Sequence, residues 1–91
     1  MDGFDYLVTH TALLSRFGGD PERMVREYGR ASGGEKRLIA AAMSFLHPAD
    51  RPQGADEVLL ELFNIAGLDT QNTRILLRSI EIEAGHRGLV R

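Results

Sequence analysis

Hydrophobic residues recur along the chain at the three- and four-residue spacing of amphipathic helices, and no stretch shows the sustained alternation of a half-buried strand. Glycines and prolines divide this pattern into five segments. The pattern predicts an all-α fold, a compact five-helix orthogonal bundle that forms a single domain over residues 1–91. The helices are expected near residues 4–17, 21–30, 33–46, 55–66 and 70–84, with a loop at residues 47–54.

Capping residues and prolines indicate where these helices begin and end. Residues 20–22, Asp-Pro-Glu, offer a side-chain acceptor, a proline at the first helical position and an acid in the first turn, which together start the second helix. Ser32 and Glu35 have the spacing of a capping box and start the third helix. This helix ends before Pro48, because the residue that precedes a proline is pushed out of the helical conformation.

The size and composition are those of an ordinary globular domain, with 91 residues, 43% hydrophobic and 26% charged. Since there is no cysteine, the sequence excludes disulfides, thiolate catalysis and cysteine-based zinc sites. The first residues are acidic where a signal peptide is basic, and no apolar run approaches the roughly 18 residues of a membrane span. We therefore expect a cytoplasmic protein without membrane contact.

Charge is distributed unevenly between the last two predicted helices. The net charge of −2 gives no overall field that would attract nucleic acid or anionic lipid. Residues 55–69 hold four acids and no base, whereas residues 70–91 hold four arginines and two glutamates. The C-terminal helix is therefore mildly basic, and the helix before it is acidic.

Residues 31–46, ASGGEKRLIAAAMSFL, resemble the signature motif of ABC-type and structural-maintenance-of-chromosomes ATPases. In that family the Ser-Gly-Gly at a helix start contacts the terminal phosphate of the nucleotide across a dimer. These ATPases also need a glycine-rich P-loop and a strand-borne acid for magnesium, and the sequence has neither, which excludes ATP hydrolysis. Free N–H groups at residues 33–35 could instead bind an anion, but the predicted capping box uses these donors, so a structural role is favoured.

No group of acids, histidines or serines indicates catalysis. His10, His47 and His86 lie in different segments, and none has a second ligand at metal-binding spacing. Glu81 and Glu83 are two residues apart on a helix and therefore point away from each other. The serines have no nucleophile elbow around them. We expect a protein that is not an enzyme and that uses no cofactor, metal or small-molecule substrate.

The fifth predicted helix carries two apolar stripes. The larger one is expected to face the core and consists of Leu76, Leu77, Ile80 and Ala84. Ile75 and Ile82 project from the opposite side. The structural interpretation is that the fifth helix is central and buried on both sides, so that Ile75 and Ile82 have a packing role. The functional interpretation leaves both exposed as anchors of a partner-binding surface with a polar rim of Gln71, Arg74, Arg78 and Arg87.

The acidic face of the fourth helix is a second-choice contact surface. Its residues are Asp56, Glu57, Glu61 and Asn64. Such a face is usually just solvated, so it ranks below the fifth helix.

These features predict a non-catalytic binding module that acts through protein–protein interaction or self-association. Adaptors, regulatory subunits and small inhibitors, such as phage or mobile-element proteins that act on host machinery, are the classes we expect. The alternative is a DNA-binding regulator, because residues 59–80, LLELFNIAGLDTQNTRILLRSI, resemble a helix-turn-helix in outline. In that interpretation Gln71 and Asn72 pair with adenine edges and Arg74 with guanine or phosphate. The chain lacks the strongly basic stripe that DNA binding uses.

Overall fold

The computed structural model describes residues 2–88, except for the side chains of residues 63, 65 and 66. All the regular secondary structure in this part of the chain is helical and none of it is strand, which confirms the predicted all-α class. The α-helices are α1 Gly3–His10, α2 Ala12–Arg16, α3 Pro21–Glu27, α4 Gly33–Phe45, α5 Ala55–Leu59 and α6 Thr70–His86. Short 3-10 helices follow at Tyr28–Arg30, Pro48–Asp50 and Leu60–Gly67.

The central helix of the fold is α4. Six consecutive residues, Leu38 to Met43, are buried, and a helix that is apolar on all sides lies inside a protein. Each of the other five α-helices contacts α4 directly. The radius of gyration is 12.1 Å. This matches the value of about 12 Å expected for a compact chain of this length.

The first predicted helix, 4–17, is two helices that meet at Thr11. Thr11 is buried and extended, and its hydroxyl donates a hydrogen bond to the Leu7 carbonyl oxygen at 2.8 Å. A side chain that binds the carbonyl four residues back competes with the helical N–H for the same acceptor. The break allows α2 to bury Leu13 and Leu14 in the core.

The predicted loop at residues 47–54 is ordered by contacts with the helices. It includes the 3-10 turn Pro48–Asp50, and Arg51 Nε donates to the Met43 carbonyl oxygen at 3.0 Å. Gly54 has a φ of 91° at the start of α5, a conformation that glycine adopts without strain. The loop is therefore a fixed connection between α4 and α5.

The predicted helix at 55–66 is α-helical only in α5 and continues as the 3-10 helix Leu60–Gly67. A 3-10 helix rises about 2.0 Å per residue against 1.5 Å in an α-helix, so this segment is longer than predicted. Its end lies against α4, where Arg37 Nη1 donates to the Gly67 carbonyl oxygen at 3.3 Å. Across residues 2–88, no helix is both long and apolar enough to cross a membrane.

Candidate functional site

The inward side of α6, which faces the core, has a serine at its centre. Ser79 is fully buried, and its hydroxyl donates to the Ile75 carbonyl oxygen at 2.8 Å. The helix packs against α1 at Gly3, whose N–H donates to Glu83 Oε1 at 3.0 Å. A Cβ on Gly3 would lie 2.5 Å from the Ser79 carbonyl oxygen. Small residues therefore set the approach of these two helices.

The position of Ser79 decides which other residues of α6 face inward. On a helix, residues three and four away from Ser79 share its side, and these include Ile75, Leu76 and Ile82. Leu76 is buried as predicted. Ile75 and Ile82 are half-buried, and Ile75 packs against the core. The expectation that these two isoleucines are exposed anchors is therefore wrong.

The larger apolar stripe, predicted to face the core, has its two central residues in solvent. Leu77 is 59% exposed and Ile80 is 48% exposed. With half-buried Thr73 and Ala84 they form a row along one side of α6, which we name the outer stripe: Thr73, Leu77, Ile80 and Ala84. The prediction failed here because it assigned the stripe with more leucine and isoleucine to the core, whereas the core contact is made through Ser79.

A groove lies between the outer stripe and the C-terminal end of α4. It has a volume of about 240 Å³ and is lined by Ser44, Phe45, Ile80, Glu83, Ala84 and Arg87. Since Ile80 and Ala84 belong to both, the groove and the outer stripe form one continuous surface. This surface is apolar along its centre and charged at its edges.

The predicted polar rim of α6 is exposed, but Gln71, Arg74 and Arg78 lie on one flank of the outer stripe and Arg87 lies on the other. Arg74 and Glu81 are the helical neighbours of Leu77, three residues before it and four after it, and they border the outer stripe. Gln71 and Arg78 lie further round the helix. Arg78 Nη1 is 3.2 Å from Glu81 Oε1.

Arg87 is the one predicted rim residue that reaches the groove. Its Nε donates to Glu83 Oε2 at 2.7 Å, and its Nη2 donates to the Phe45 carbonyl oxygen at 3.4 Å. These bonds tie the end of α6 to the end of α4. Exposed Glu81 and half-buried Phe45 belong to this surface but were not predicted from the sequence. Glu81 had a signal in its four-residue spacing from Leu77, whereas Phe45 is brought there by the fold.

The second-choice acidic surface keeps only part of its predicted exposure. Asp56, Glu57 and Asn64 are exposed, but Glu61 is half-buried and accepts a hydrogen bond from Asn64 Nδ2 at 3.2 Å. Burial raises the pKa of the Tyr28 hydroxyl, and the nearby Glu61 carboxylate raises it further. Glu61 therefore makes contacts within the fold.

The capping box predicted at the start of α4 is present. The Glu35 N–H donates to Ser32 Oγ at 3.3 Å, and the Ser32 N–H donates to Glu35 Oε1 at 2.9 Å. The bond from the Ser32 backbone holds the pKa of the Glu35 carboxyl below its usual value. These two residues thus form the structural feature that was favoured over an anion site.

The three histidines serve local structure or lie in solvent. His10 is exposed and stacks on Tyr6, with 3.9 Å between ring centroids. His47, which follows α4 in the predicted loop, caps the 3-10 turn, where its Nδ1 accepts from the Ala49 N–H at 3.1 Å. His86 is exposed at the end of α6. Among residues 2–88, no group of three or more acids or histidines could hold a metal ion.

Comparisons of the chain with protein-family models, curated proteins and solved structures find no match. In the part of the chain that the structure describes, the exposed large apolar side chains are Leu60, Leu77 and Ile80. Leu77 and Ile80 are three residues apart on one helix and therefore lie side by side.

Proposed function

We propose that this protein is a non-catalytic binding module that contacts a protein partner through the outer stripe of α6 and the adjoining groove. The observation that carries this proposal is the exposure of Leu77 and Ile80, at 59% and 48%. Burying apolar surface contributes roughly 25 cal/mol per Å², so both side chains would gain from a partner that covers them. An apolar centre with a charged rim is the usual composition of a protein contact surface.

The charges around the outer stripe support a protein partner over nucleic acid. Arg74 and Glu81 have opposite signs and border the same apolar residue, Leu77. At the other end, Arg87 is bonded to Glu83 at 2.7 Å. A surface that recognises the phosphate backbone needs an excess of positive charge, which this mixed rim does not supply.

A helix-turn-helix DNA regulator is the second candidate, supported by the exposure of Gln71, Arg74 and Arg78 on one flank of α6. Two contacts weigh against it. Asn72, expected to read a base, donates through Nδ2 to Asp69 Oδ2 at 3.1 Å, and Arg78 pairs with an acid of its own helix. The protein-binding function is therefore the better supported.

A photo-crosslinking residue tests the proposed contact at the level of one position. Leu77 is replaced by p-benzoylphenylalanine, and Leu60, which is 64% exposed outside α6, receives the same replacement as a matched control. We expect ultraviolet light to give a protein adduct from position 77 and none from position 60. Equal adduct from both positions, or none from position 77, would overturn the proposal.

DNA binding is tested separately with the variant Arg74→Ala/Arg78→Ala. If α6 reads DNA, this variant binds duplex more weakly than wild type, and its affinity depends less steeply on salt because two phosphate or base contacts are lost. The protein-binding proposal expects no duplex shift from the wild-type protein even at low salt. A shift that disappears in the double variant would favour the DNA regulator instead.

A further inference from the structure

We infer that the partner on the outer stripe is a second copy of this chain, and that the two copies meet through an antiparallel α6–α6 contact. The inference rests on the proposed function, since it names the occupant of the same surface. It is carried by the spacing of the outer stripe and by the placement of the charges beside it.

The outer stripe has the spacing that one helix presents to another. Thr73, Leu77, Ile80 and Ala84 are separated by steps of four, three and four residues, which is the a and d pattern of a heptad repeat. A helix rises about 1.5 Å per residue, so the four residues extend along roughly 17 Å of α6. This is a straight narrow strip, and a second helix covers such a strip better than a loop or a strand edge does.

The charges beside the outer stripe are complementary between two copies of α6 that run in opposite directions. Arg74 lies three residues before Leu77, and Glu81 lies four residues after it on the same flank. In an antiparallel pair, Leu77 of one copy is layered against Ile80 of the other. This alignment brings Arg74 of each copy towards Glu81 of the other, so two-fold symmetry forms the ion pair twice.

A parallel arrangement loses this complementarity. With both helices running the same way, Arg74 of one copy lies level with Arg74 of the other, about 10 Å along the axis from Glu81. The bond from Arg78 in its own chain, at 3.2 Å, leaves Glu81 able to accept from Arg74 of the second copy as well, because both side chains are more than half exposed and a carboxylate has several acceptor sites. The charge pattern therefore favours the antiparallel pair.

The groove beside the outer stripe offers space for the layered side chain. The groove lies between Ile80 and Phe45 and has a volume of about 240 Å³. This is the volume of roughly eight waters at about 30 Å³ each, which is enough for a leucine side chain. In the antiparallel layer, Leu77 of the second copy is the residue next to Ile80 and hence next to this groove.

The experiment measures self-association of the full chain by sedimentation equilibrium over micromolar to millimolar concentrations. We expect a dimer of moderate affinity, since one helix provides less than the roughly 800 Å² per partner of a standard interface. Arg74→Glu and Glu81→Arg should each weaken the dimer about tenfold by opposing like charges. The double variant Arg74→Glu/Glu81→Arg should return close to wild-type affinity, because the pairing is restored with its signs exchanged.

Two further variants separate the interface from the fold. Leu77→Asp should abolish the dimer, and Leu60→Asp should leave it unchanged, while circular dichroism gives the same helix content for both. A monomer at all concentrations, or a double variant no better than the singles, would overturn the antiparallel dimer. If the crosslink from position 77 then goes to a different protein, the proposed function stands and only the identity of the partner is wrong.

Discussion

Gly3 and Ser79 bring α1 and α6 closer together than a side chain on residue 3 would allow. A Cβ at Gly3 would lie 2.5 Å from the Ser79 carbonyl oxygen and 2.7 Å from the Glu83 Cβ. The first of these atoms is backbone, so the clash cannot be relieved by a rotamer change. The residue that orients the proposed contact surface is therefore a glycine at the opposite end of the sequence.

Replacing Gly3 by alanine should destabilise the protein by about 1–3 kcal/mol, the usual cost of overpacking a close contact. Urea unfolding followed by circular dichroism measures this difference. Gly34→Ala in α4 is the matched control, because no atom lies within 4 Å of the added Cβ and alanine is the better helix former. A Gly3→Ala protein as stable as wild type would show that α6 does not need this close approach.

Glu35 gives the protein a stability that depends on pH. Its pKa in the folded protein is lowered, first by the hydrogen bond from the Ser32 backbone, so ionisation favours the folded state. This contribution is present above the ordinary pKa of 4.5 and is lost as pH falls through the lower folded value.

Glu35→Gln keeps an acceptor for the Ser32 N–H but does not titrate in this range. Wild type should therefore be more stable than this variant near neutral pH, and the difference should shrink as the pH falls below about 4. Thermal unfolding at a series of pH values measures it. A difference that stayed constant with pH would contradict the assigned cause of the shift.

At the scale of elements, Thr11 determines where α1 ends. Its buried hydroxyl donates a hydrogen bond to the Leu7 carbonyl oxygen at 2.8 Å. Thr11→Val has nearly the same shape but removes the donor, which leaves a buried carbonyl with one partner fewer. The expected loss is about 1–3 kcal/mol in the free energy of unfolding. Thr11→Ser, which keeps the hydroxyl, should lose clearly less; an equal loss from both variants would point to packing as the cause.

The sequence prediction with the most consequential error concerns α6. It assigned the wrong side of this helix to the core. Hydrophobic spacing placed Leu76, Leu77 and Ile80 in one inward stripe, but the structure buries only Leu76 and leaves the other two exposed. Spacing alone does not say which side of the helix is inside. Serine is usually a surface residue, so the sequence gives no sign that Ser79 faces inward. Its small side chain allows α6 to pack closely against α1 at this position. Ile75 and Ile82 follow it inward, and Leu77 is left in solvent.

For the whole molecule, the features predicted from the sequence are those that depend on residues close together in the chain. The Ser32–Glu35 capping box and the cap at Asp20 were expected and are present. The orientation of α6 depends on Gly3 and Glu83, which are 80 residues apart. No local pattern contains that contact, so the fold class and α6 as the contact helix could be proposed from the sequence, whereas its outward residues required the structure.

Self-association through α6 should make the thermal stability of the whole molecule depend on its concentration. A partner that binds only the folded chain stabilises it by RT ln(1 + [L]/Kd), which is about 1 kcal/mol once the concentration is several times Kd. For a domain of this size, that corresponds to a rise in Tm of about 4–8 °C between dilute and concentrated samples.

Leu77→Asp should remove this rise and leave the Tm of the dilute protein nearly unchanged, because Leu77 is 59% exposed in the monomer and supports little of its core. Leu60→Asp, the same change at another exposed leucine, should keep the rise. Calorimetry at several protein concentrations measures both effects. If the dilute Leu77→Asp protein unfolded well below dilute wild type, residue 77 would be part of the monomer's own packing, and the outer stripe would not be a surface kept for a partner.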